Sequence, residues 1–337
     1  MLATRSGDAF HLGETWTGNW SDAFGPVHRH YGALPCVVVR DRIGPLTLPV
    51  VHSATNPHTM RFDIDPDARL PDDLARQLLQ AHGAAAIRFD YLPEDARLLA
   101  AQPQWTAGYR TRIEPHARAP VVDTRGSHTA WITARSKRFR QRTRQATRAL
   151  IEQRGMRVEF RCNDGDEQLY GQMLAVERSG WKGRAGTAIA DDPATHRFYA
   201  RLMRDAAAAG ALRCALLWDG DALVAFEMGV LSRRRLFIPK VGYDEALADL
   251  SPGYVLAAEH IRKCFEAPDV DWYDKMGNGM TPAPYKMRFT DRCDTLYRLT
   301  VYAPGARGGM LLMRDRARAQ AKEWRDAWRA RGAGGSE

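Results

Sequence analysis

Two ionisable residues close to each other in the sequence, Asp274 and Lys286, have the types that acid–base chemistry on an amine requires. Asp274 ends the apolar segment 270–274, and Lys286 lies on the loop that follows. An opposite charge nearby keeps a carboxylate ionised, so Asp274 could hold and deprotonate an ammonium group. Lys286 could then stabilise negative charge on a carbonyl oxygen or a phosphate. The alternatives are a turn-capping aspartate and a surface lysine.

Other candidates lie on the segments before and after this pair. Glu227 lies within the predicted strand 223–231, on the face opposite Val224 and Phe226, where small neighbours leave room for a substrate. Its alternative is an ordinary exposed strand acid. Tyr285 and Tyr243 carry hydroxyls that could protonate a thiolate leaving group.

A glycine-rich loop after a predicted helix forms another candidate site. Glu177 and Lys182 bracket Trp181 there, a pattern that suits a lid over a substrate. A structural loop anchored by Trp181 is the alternative.

The elements that must position these residues read as strand, turn, helix, strand and loop over residues 236–289. Ser251 is predicted to cap the helix, with Pro252 in its first turn. Pro239 inside a strand predicts a bulge, which would open a slot beside the positive end of the helix. A phosphate-bearing ligand fits that slot. The predicted ligand-binding residues are Val241, Gly242, Tyr243, Ser251, Gly253, Tyr254 and Val255, with the phosphates on the backbone N–H groups of the last three.

A strongly basic helix is predicted over residues 129–154. Seven cations and no acid occupy residues 135–148. Because like charges on one helix repel each other, an anionic neighbour is favoured over a plain solvated face, which remains the alternative. Arg138, Arg142 and Arg144 are the predicted substrate-binding residues.

Composition limits the classes of function. The chain has 337 residues and a net charge of +9, which suggests anionic partners. Its five cysteines form no Cys-x-x-Cys pair, so no metal site is predicted. No segment reaches membrane-spanning length and no signal peptide is seen, so membrane insertion is not expected and the cytoplasm is the predicted location.

The remaining segments predict an α/β layer structure. Strands alternate with helices up to residue 113, and the proline-containing stretch 115–126 is typical of a linker. Strands 212–219, 223–231 and 236–243 form a predicted meander, residues 295–302 close the sheet, and residues 310–330 form an arginine-rich amphipathic helix.

The meander, bulged strand, Ser251-Pro252-Gly253 helix start and following strand together resemble the GNAT acyltransferase fold. The segments 136–140 and 155–158 resemble FemABX-type proteins. Glu177 to Gly183, with Gly186-Thr187-Ala188, is similar to a segment of the CelD/BcsL family, whose members contain a BioF2-like acetyltransferase domain. Tyr243-Asp244 and Pro284-Tyr285-Lys286 fit the same family. The phosphate loop departs from the usual GNAT pattern, because Gly253 is its only glycine.

The resemblance implies two tandem GNAT-like modules: a degenerate one over residues 1–125 and a complete one over 126–309, followed by a basic tail over 310–337. It implies an N-acyltransferase that uses acetyl-CoA or another acyl-CoA, with an amine of a small molecule, peptide or saccharide precursor as acceptor. Fem-type proteins share the fold and take the acyl group from aminoacyl-tRNA, so a tRNA-dependent transferase is the alternative. A non-catalytic nucleic-acid-binding protein on the same scaffold is a further alternative.

Overall fold

The computed structural model describes residues 9–30, 34–65, 68–180 and 189–333 as a mixed α/β fold. The strands are β1 (His28–His30), β2 (Leu34–Ile43), β3 (Leu46–Ser53), β4 (Ala86–Pro93), β5 (Arg110–Asp123), β6 (Arg157–Cys162), β7 (Leu212–Asp219), β8 (Ala222–Ser232), β9 (Arg235–Tyr243), β10 (Trp272–Asp274) and β11 (Cys293–Tyr302). The helices are α1 (Glu14–Phe24), α2 (Leu74–Ala81), α3 (Arg97–Ala100), α4 (Gln102–Trp105), α5 (His128–Ala134), α6 (Lys137–Thr147), α7 (Glu167–Ser179), α8 (Pro193–Ala208), α9 (Pro252–Glu266), α10 (Pro284–Met287) and α11 (Ala306–Ala333).

The chain forms two compact units that interleave along the sequence. The first unit contains residues 1–27, 56–61 and 116–296, and the second contains 28–55, 62–115 and 297–337. These units differ from the predicted division at residues 125 and 309. The N-terminal helix α1 belongs to the first unit because it packs on α8, where Trp16 meets Phe198 edge-on at 5.1 Å between ring centroids.

The sheet of the first unit has the strand order β5-β10-β9-β8-β7-β6. Strands β6 to β9 pair antiparallel in succession, which confirms the predicted meander. Its turns use left-handed backbone at Gly220, with φ of 59°, and at Arg233 and Arg234, with φ of 50° and 59°. Glycine adopts that conformation readily, whereas the two arginines do so at some cost in strain.

The predicted bulge lies in β9. Met228 of β8 pairs with Lys240 and Val230 pairs with Phe237, so Ile238 and Pro239 stand opposite Gly229 alone. Strand β10 pairs with β9 in parallel at residues 235–237, before the bulge. The two strands therefore separate after the bulge, and the predicted slot opens beside residues 241–243.

Two expectations from the sequence need correction. The stretch 115–126 is not a linker: β5 continues to Asp123, and Val121 and Val122 are buried against β10, so the apolar pair outweighs the two prolines. The basic helix is also not continuous. Extended backbone at Arg135 ends α5, and Ser136 caps α6 by accepting a hydrogen bond from the Phe139 N–H. A π-helical segment, Arg148–Gln153, then continues α6.

The second unit has its own sheet and core. Its strand order is β1-β2-β3-β4-β11, with β3 and β4 parallel. Leu48, Val50, Ala86 and Tyr302 pack against Leu311 and Leu312, from the early turns of α11. The predicted tail helix therefore exists, begins earlier at Ala306, and fixes its first turns in this core.

Candidate active site

A cavity of about 360 Å³ lies in the first unit where β9 and β10 separate. Strand β9 contributes the predicted residues Val241, Gly242 and Tyr243, and the start of α9 contributes Ser251, Gly253 and Tyr254. Gly242 is required there, because a Cβ atom would lie 2.5 Å from Cε1 of the buried Phe226 ring. The other lining residues are Arg142, Glu177, Gly180, Phe226, Glu227, Ala248, Pro252, Ala257, Lys275, Tyr285, Arg288 and Phe289.

Glu227 forms the centre of a buried polar cluster at this cavity. Its Oε2 accepts hydrogen bonds from the Tyr273 hydroxyl at 2.5 Å and from His260 Nδ1 at 2.9 Å. The Lys275 Nζ lies 3.5 Å from Oε1 and 3.2 Å from the Tyr273 hydroxyl. All four side chains are buried, with exposed fractions of 3% or less. These four residues are called the Glu227 cluster below.

The Glu227 cluster fixes the charge on its carboxylate. Burial alone would raise the pKa of Glu227, but the Lys275 ammonium and the hydrogen bonds from His260 and Tyr273 outweigh burial and lower this pKa to about 2. Burial lowers the pKa of Lys275, against the opposing effect of the Glu227 charge. The cavity therefore presents a carboxylate that stays ionised at neutral pH.

The structure excludes the alternative of an ordinary exposed strand acid at Glu227, which is buried and lines the cavity. Both faces of β8 are buried, and Glu227 faces α9 together with Ala225. Tyr285 also lines the cavity, as a residue 46% exposed. Burial and the Glu227 charge raise the pKa of Tyr285 to about 12, so it retains its proton. Such a hydroxyl can donate to an anion that forms nearby.

Glu177 is a second buried carboxylate on the cavity wall. It lies at the end of α7, where its Oε2 accepts a hydrogen bond of 2.8 Å from the Ile189 N–H. Its Oε1 lies 3.7 Å from Lys240 Nζ, which stacks over Tyr199. The predicted lid residues Trp181 and Lys182 lie outside the described residues.

The start of α9 differs from the predicted phosphate site. Ser251 has left-handed backbone and makes no side-chain cap; instead its Oγ accepts a hydrogen bond of 2.8 Å from Arg142. The N–H groups of Tyr254 and Val255 both donate to the Ser251 carbonyl, at 3.0 and 3.2 Å. Two of the three predicted phosphate donors thus already donate within the chain. The remaining candidate donors to a phosphate are the Gly253 N–H and the Arg142 guanidinium.

Helix α6 brings a basic side chain, Arg142, to the start of helix α9. Phe139 packs against Tyr254, with ring centroids 5.3 Å apart, and the Arg142 guanidinium lies 5.5 Å from the Tyr254 ring centroid. Arg138 and Arg144 are exposed on the same helix. Within the described chain neither side chain makes a hydrogen bond or ion pair. Of the three predicted substrate-binding arginines, Arg142 lines the cavity, and its role in binding stays a prediction.

Asp274 and Lys286 occupy settings unlike the predicted pair. Asp274 is 1% exposed, and its Oδ2 lies 2.9 Å from Arg61 and 3.1 Å from Arg235, so two arginines rather than Lys286 neutralise it. Lys286 Nζ donates to the carbonyls of Lys275 and Met276 at 2.7 and 2.9 Å. Neither residue is among those lining the cavity. Their catalytic roles stay predictions.

Sequence reasoning missed three residues of the Glu227 cluster: His260, Tyr273 and Lys275. A signal existed for two of them. Tyr273 and Lys275 flank Asp274 at the end of its strand, and residues two apart in extended backbone point to the same side. His260 gave no signal, since one histidine on an apolar helix is ordinary. Lys275 sits over the Phe289 ring at 4.4 Å, a contact between residues 14 positions apart.

Comparison with known proteins bears on the fold. Residues 137–287 match the sequence profile of the family described as the acetyltransferase (GNAT) domain. This part of the chain is thus similar to a GNAT-type acetyltransferase domain, and the chain has a GNAT-like α/β fold. No curated protein sequence matches it.

Solved structures show the same fold. The C-terminal domain of a protein named as a lysylphosphatidylglycerol synthetase, from Agrobacterium fabrum, has 14% identity and a TM-score of 0.56, covering 92% of this chain and 95% of that one. FemX has 11% identity and a TM-score of 0.54, covering 90% and 96%. L-PGS from Bacillus licheniformis has 14% identity and a TM-score of 0.50, covering 91% of each chain. At these identities the likeness concerns the fold alone.

Proposed function

We propose that the chain is an N-acyltransferase that moves an acyl group from acyl-CoA, such as acetyl-CoA, to an amine of a small molecule, peptide or saccharide precursor. The observation that carries this proposal is the cavity of a GNAT-type domain that ends on the buried, ionised Glu227. A carboxylate that stays ionised can accept a charge-assisted hydrogen bond from an ammonium group that enters the cavity.

The donor fits beside the separated part of β9. An extended chain with amide groups can run along residues 241–243, because β10 pairs with β9 before the bulge. Its phosphates then lie near the Gly253 N–H and the guanidinium of Arg142, both at the cavity. Anions are favoured at this helix end by the helix dipole and by the arginine.

The reaction requires that the amine nitrogen attacks the acyl carbon, that the carbon–sulfur bond breaks, and that protons leave the amine and reach the sulfur. Glu227 attracts the ammonium form of the acceptor, which gives one proton to solvent before it reacts. The neutral amine then attacks the acyl carbon, and Glu227 accepts the second proton as the carbon–nitrogen bond forms and makes that nitrogen more acidic. The Lys275 ammonium is placed to stabilise charge on the carbonyl oxygen. Tyr285 donates to the departing thiolate.

Binding of the donor is the first test. Calorimetry with acetyl-CoA should give measurable heat and thermal stabilisation for the purified chain. Arg142→Ala should weaken binding, whereas Arg204→Ala, a change of an exposed arginine on α8, should leave it unchanged. Coenzyme A thiol released from acetyl-CoA in the presence of a panel of primary amines then identifies acceptors. Saturating acetyl-CoA that gives neither heat nor stabilisation would refute the coenzyme donor.

A second candidate donor is aminoacyl-tRNA. It is favoured by the engagement of the Tyr254 and Val255 N–H groups and by the unpaired, exposed Arg138 and Arg144. In this case the chain should retain tRNA, with an affinity that falls steeply as salt rises. Replacing Arg138, Arg142 and Arg144 together by Ala should reduce the salt dependence by about two to three counterions. A triple variant that keeps both tRNA retention and its salt slope excludes this donor.

A further inference from the structure

The C-terminal helix α11 has a part with few neighbours. Its early turns pack through Leu311 and Leu312 into the core of the second unit. From Arg316 to Arg325, by contrast, every residue except Ala319 is exposed. An apolar face on a surface helix normally packs against something, so an exposed one indicates a surface that covers it.

An apolar stripe follows this exposed part. Met313, Ala317, Ala321, Trp324 and Trp328 recur every three or four residues and therefore lie on one side of the helix. Met313 is 66% exposed, Trp324 80% and Trp328 78%. These are three of the most exposed large apolar side chains in the described chain, and they share one face.

The stripe lies between positive charges. Among residues 316–325 the basic ones are Arg316, Arg318, Lys322 and Arg325, and Glu323 is the one acid. All five side chains are exposed. At 100° per residue, Arg318 and Arg325 fall on one flank of the stripe and Arg316 on the other.

We infer that α11 is a docking helix for a membrane surface rich in anionic lipid. Tryptophan rings favour the boundary between lipid chains and headgroups, and flanking lysine and arginine side chains reach the headgroup phosphates. Each such cation adds to the attraction toward an anionic leaflet. The apolar stripe and its flanks match those two layers.

Charge decides between this occupant and a second copy of the chain. Residues 316–325 carry four basic side chains and one acid, a net charge of +3, so two copies facing each other across the stripe repel. An anionic surface attracts the same net charge. The helix would lie in the plane of the surface, since none of the described helices is long and apolar enough to cross a membrane.

The test uses the full chain and sedimented vesicles. Vesicles of equal parts phosphatidylcholine and phosphatidylglycerol should bind the chain, and phosphatidylcholine alone should bind it far less. The double change Trp324→Ala and Trp328→Ala should lower the partition coefficient at least about tenfold. The control Leu46→Ala, which removes an exposed leucine in the second unit (47% exposed), should leave the partition unchanged.

A second variant keeps the tryptophans and changes only charge. Lys322→Glu with Arg325→Glu should abolish binding to anionic vesicles, and added salt should weaken binding of the wild type. Circular dichroism verifies that both variants keep their helix content. The proposal is overturned by unchanged binding of the tryptophan variant, by equal binding to both kinds of vesicle, or by a wild-type dimer that the tryptophan change converts to monomer. The proposal is also overturned if the wild type binds no vesicles but retains RNA, and the tryptophan variant loses that RNA.

Discussion

At the scale of single residues, the first unit holds a buried charge, the Glu227 carboxylate. The pKa of Glu227 is lowered to about 2 in the folded chain, from an ordinary value of 4.5. A carboxyl whose pKa is lower in the folded state stabilises the fold above its unfolded pKa, and loses this contribution as pH falls through the folded value.

The first prediction concerns the pH dependence of stability. The wild type should exceed Glu227→Gln in free energy of unfolding by an amount that is constant near neutral pH and shrinks between about pH 4.5 and pH 2, because protonation removes the charge that distinguishes the two proteins. Urea unfolding across this pH range measures it. A difference independent of pH would show that Glu227 is not ionised in the folded state.

The second prediction concerns Asp274. Its carboxylate balances Arg61 and Arg235, whose side chains are 10% and 15% exposed, so Asp274→Asn should lower the free energy of unfolding by about 3 kcal/mol. The matched control is Asp271→Asn, which removes an ion pair whose arginine, Arg234, is 48% exposed, and should cost less than about 1 kcal/mol. Equal costs in urea unfolding would contradict a structural role for the Asp274 network.

At the scale of elements, the bulge in β9 and the position at which α9 begins are what the sequence predicted best. Pro239 predicted the bulge, and the Ser251-Pro252-Gly253 segment predicted where the helix begins. Both are features of the local backbone conformation, which depends on neighbouring residues. The side-chain contacts of these segments were not predictable. Arg142 reaches Ser251 and Lys275 reaches Glu227 across 109 and 48 positions of the chain, distances that no local pattern encodes.

The third prediction tests the strand that lines the slot. Gly242→Ala would place a Cβ atom against the Phe226 ring, which is 1% exposed and has little room to move. Overpacking of this kind costs about 1–3 kcal/mol of stability, and the distorted wall should weaken acetyl-CoA binding at least about tenfold. Calorimetry measures the change in affinity.

The control for Gly242 is Gly171→Ala, on helix α7. A Cβ atom there meets open space, and alanine in a helix adds about 0.5–1 kcal/mol of stability over glycine. Donor binding should not change. If Gly242→Ala binds acetyl-CoA as well as this control does, the donor does not pass along β9.

At the scale of the whole molecule, the sequence predicted the α/β class and the GNAT-like fold but not the course of the chain through the two units. Strand and helix patterns report which segments have a buried face, and they do not report which segment covers it. Nothing in the sequence around Trp16 or Phe198 predicts that α1 packs on α8. The same limit explains Asp274: a carboxylate at a strand end indicates a site, and only its arginine partners show a structural setting.

The role of Glu227 as the catalytic base is tested by the single-turnover rate of acyl transfer, measured together with the donor dissociation constant. Glu227→Gln should slow transfer by about 100-fold to 10,000-fold while the dissociation constant for acetyl-CoA stays within about threefold of the wild type. Asp274→Asn, measured per folded molecule, should transfer at a rate within about threefold of the wild type. Glu227 is not the catalytic carboxylate if Asp274→Asn is inactive and Glu227→Gln transfers normally. The catalytic carboxylate would then be Asp274, which lies outside the cavity.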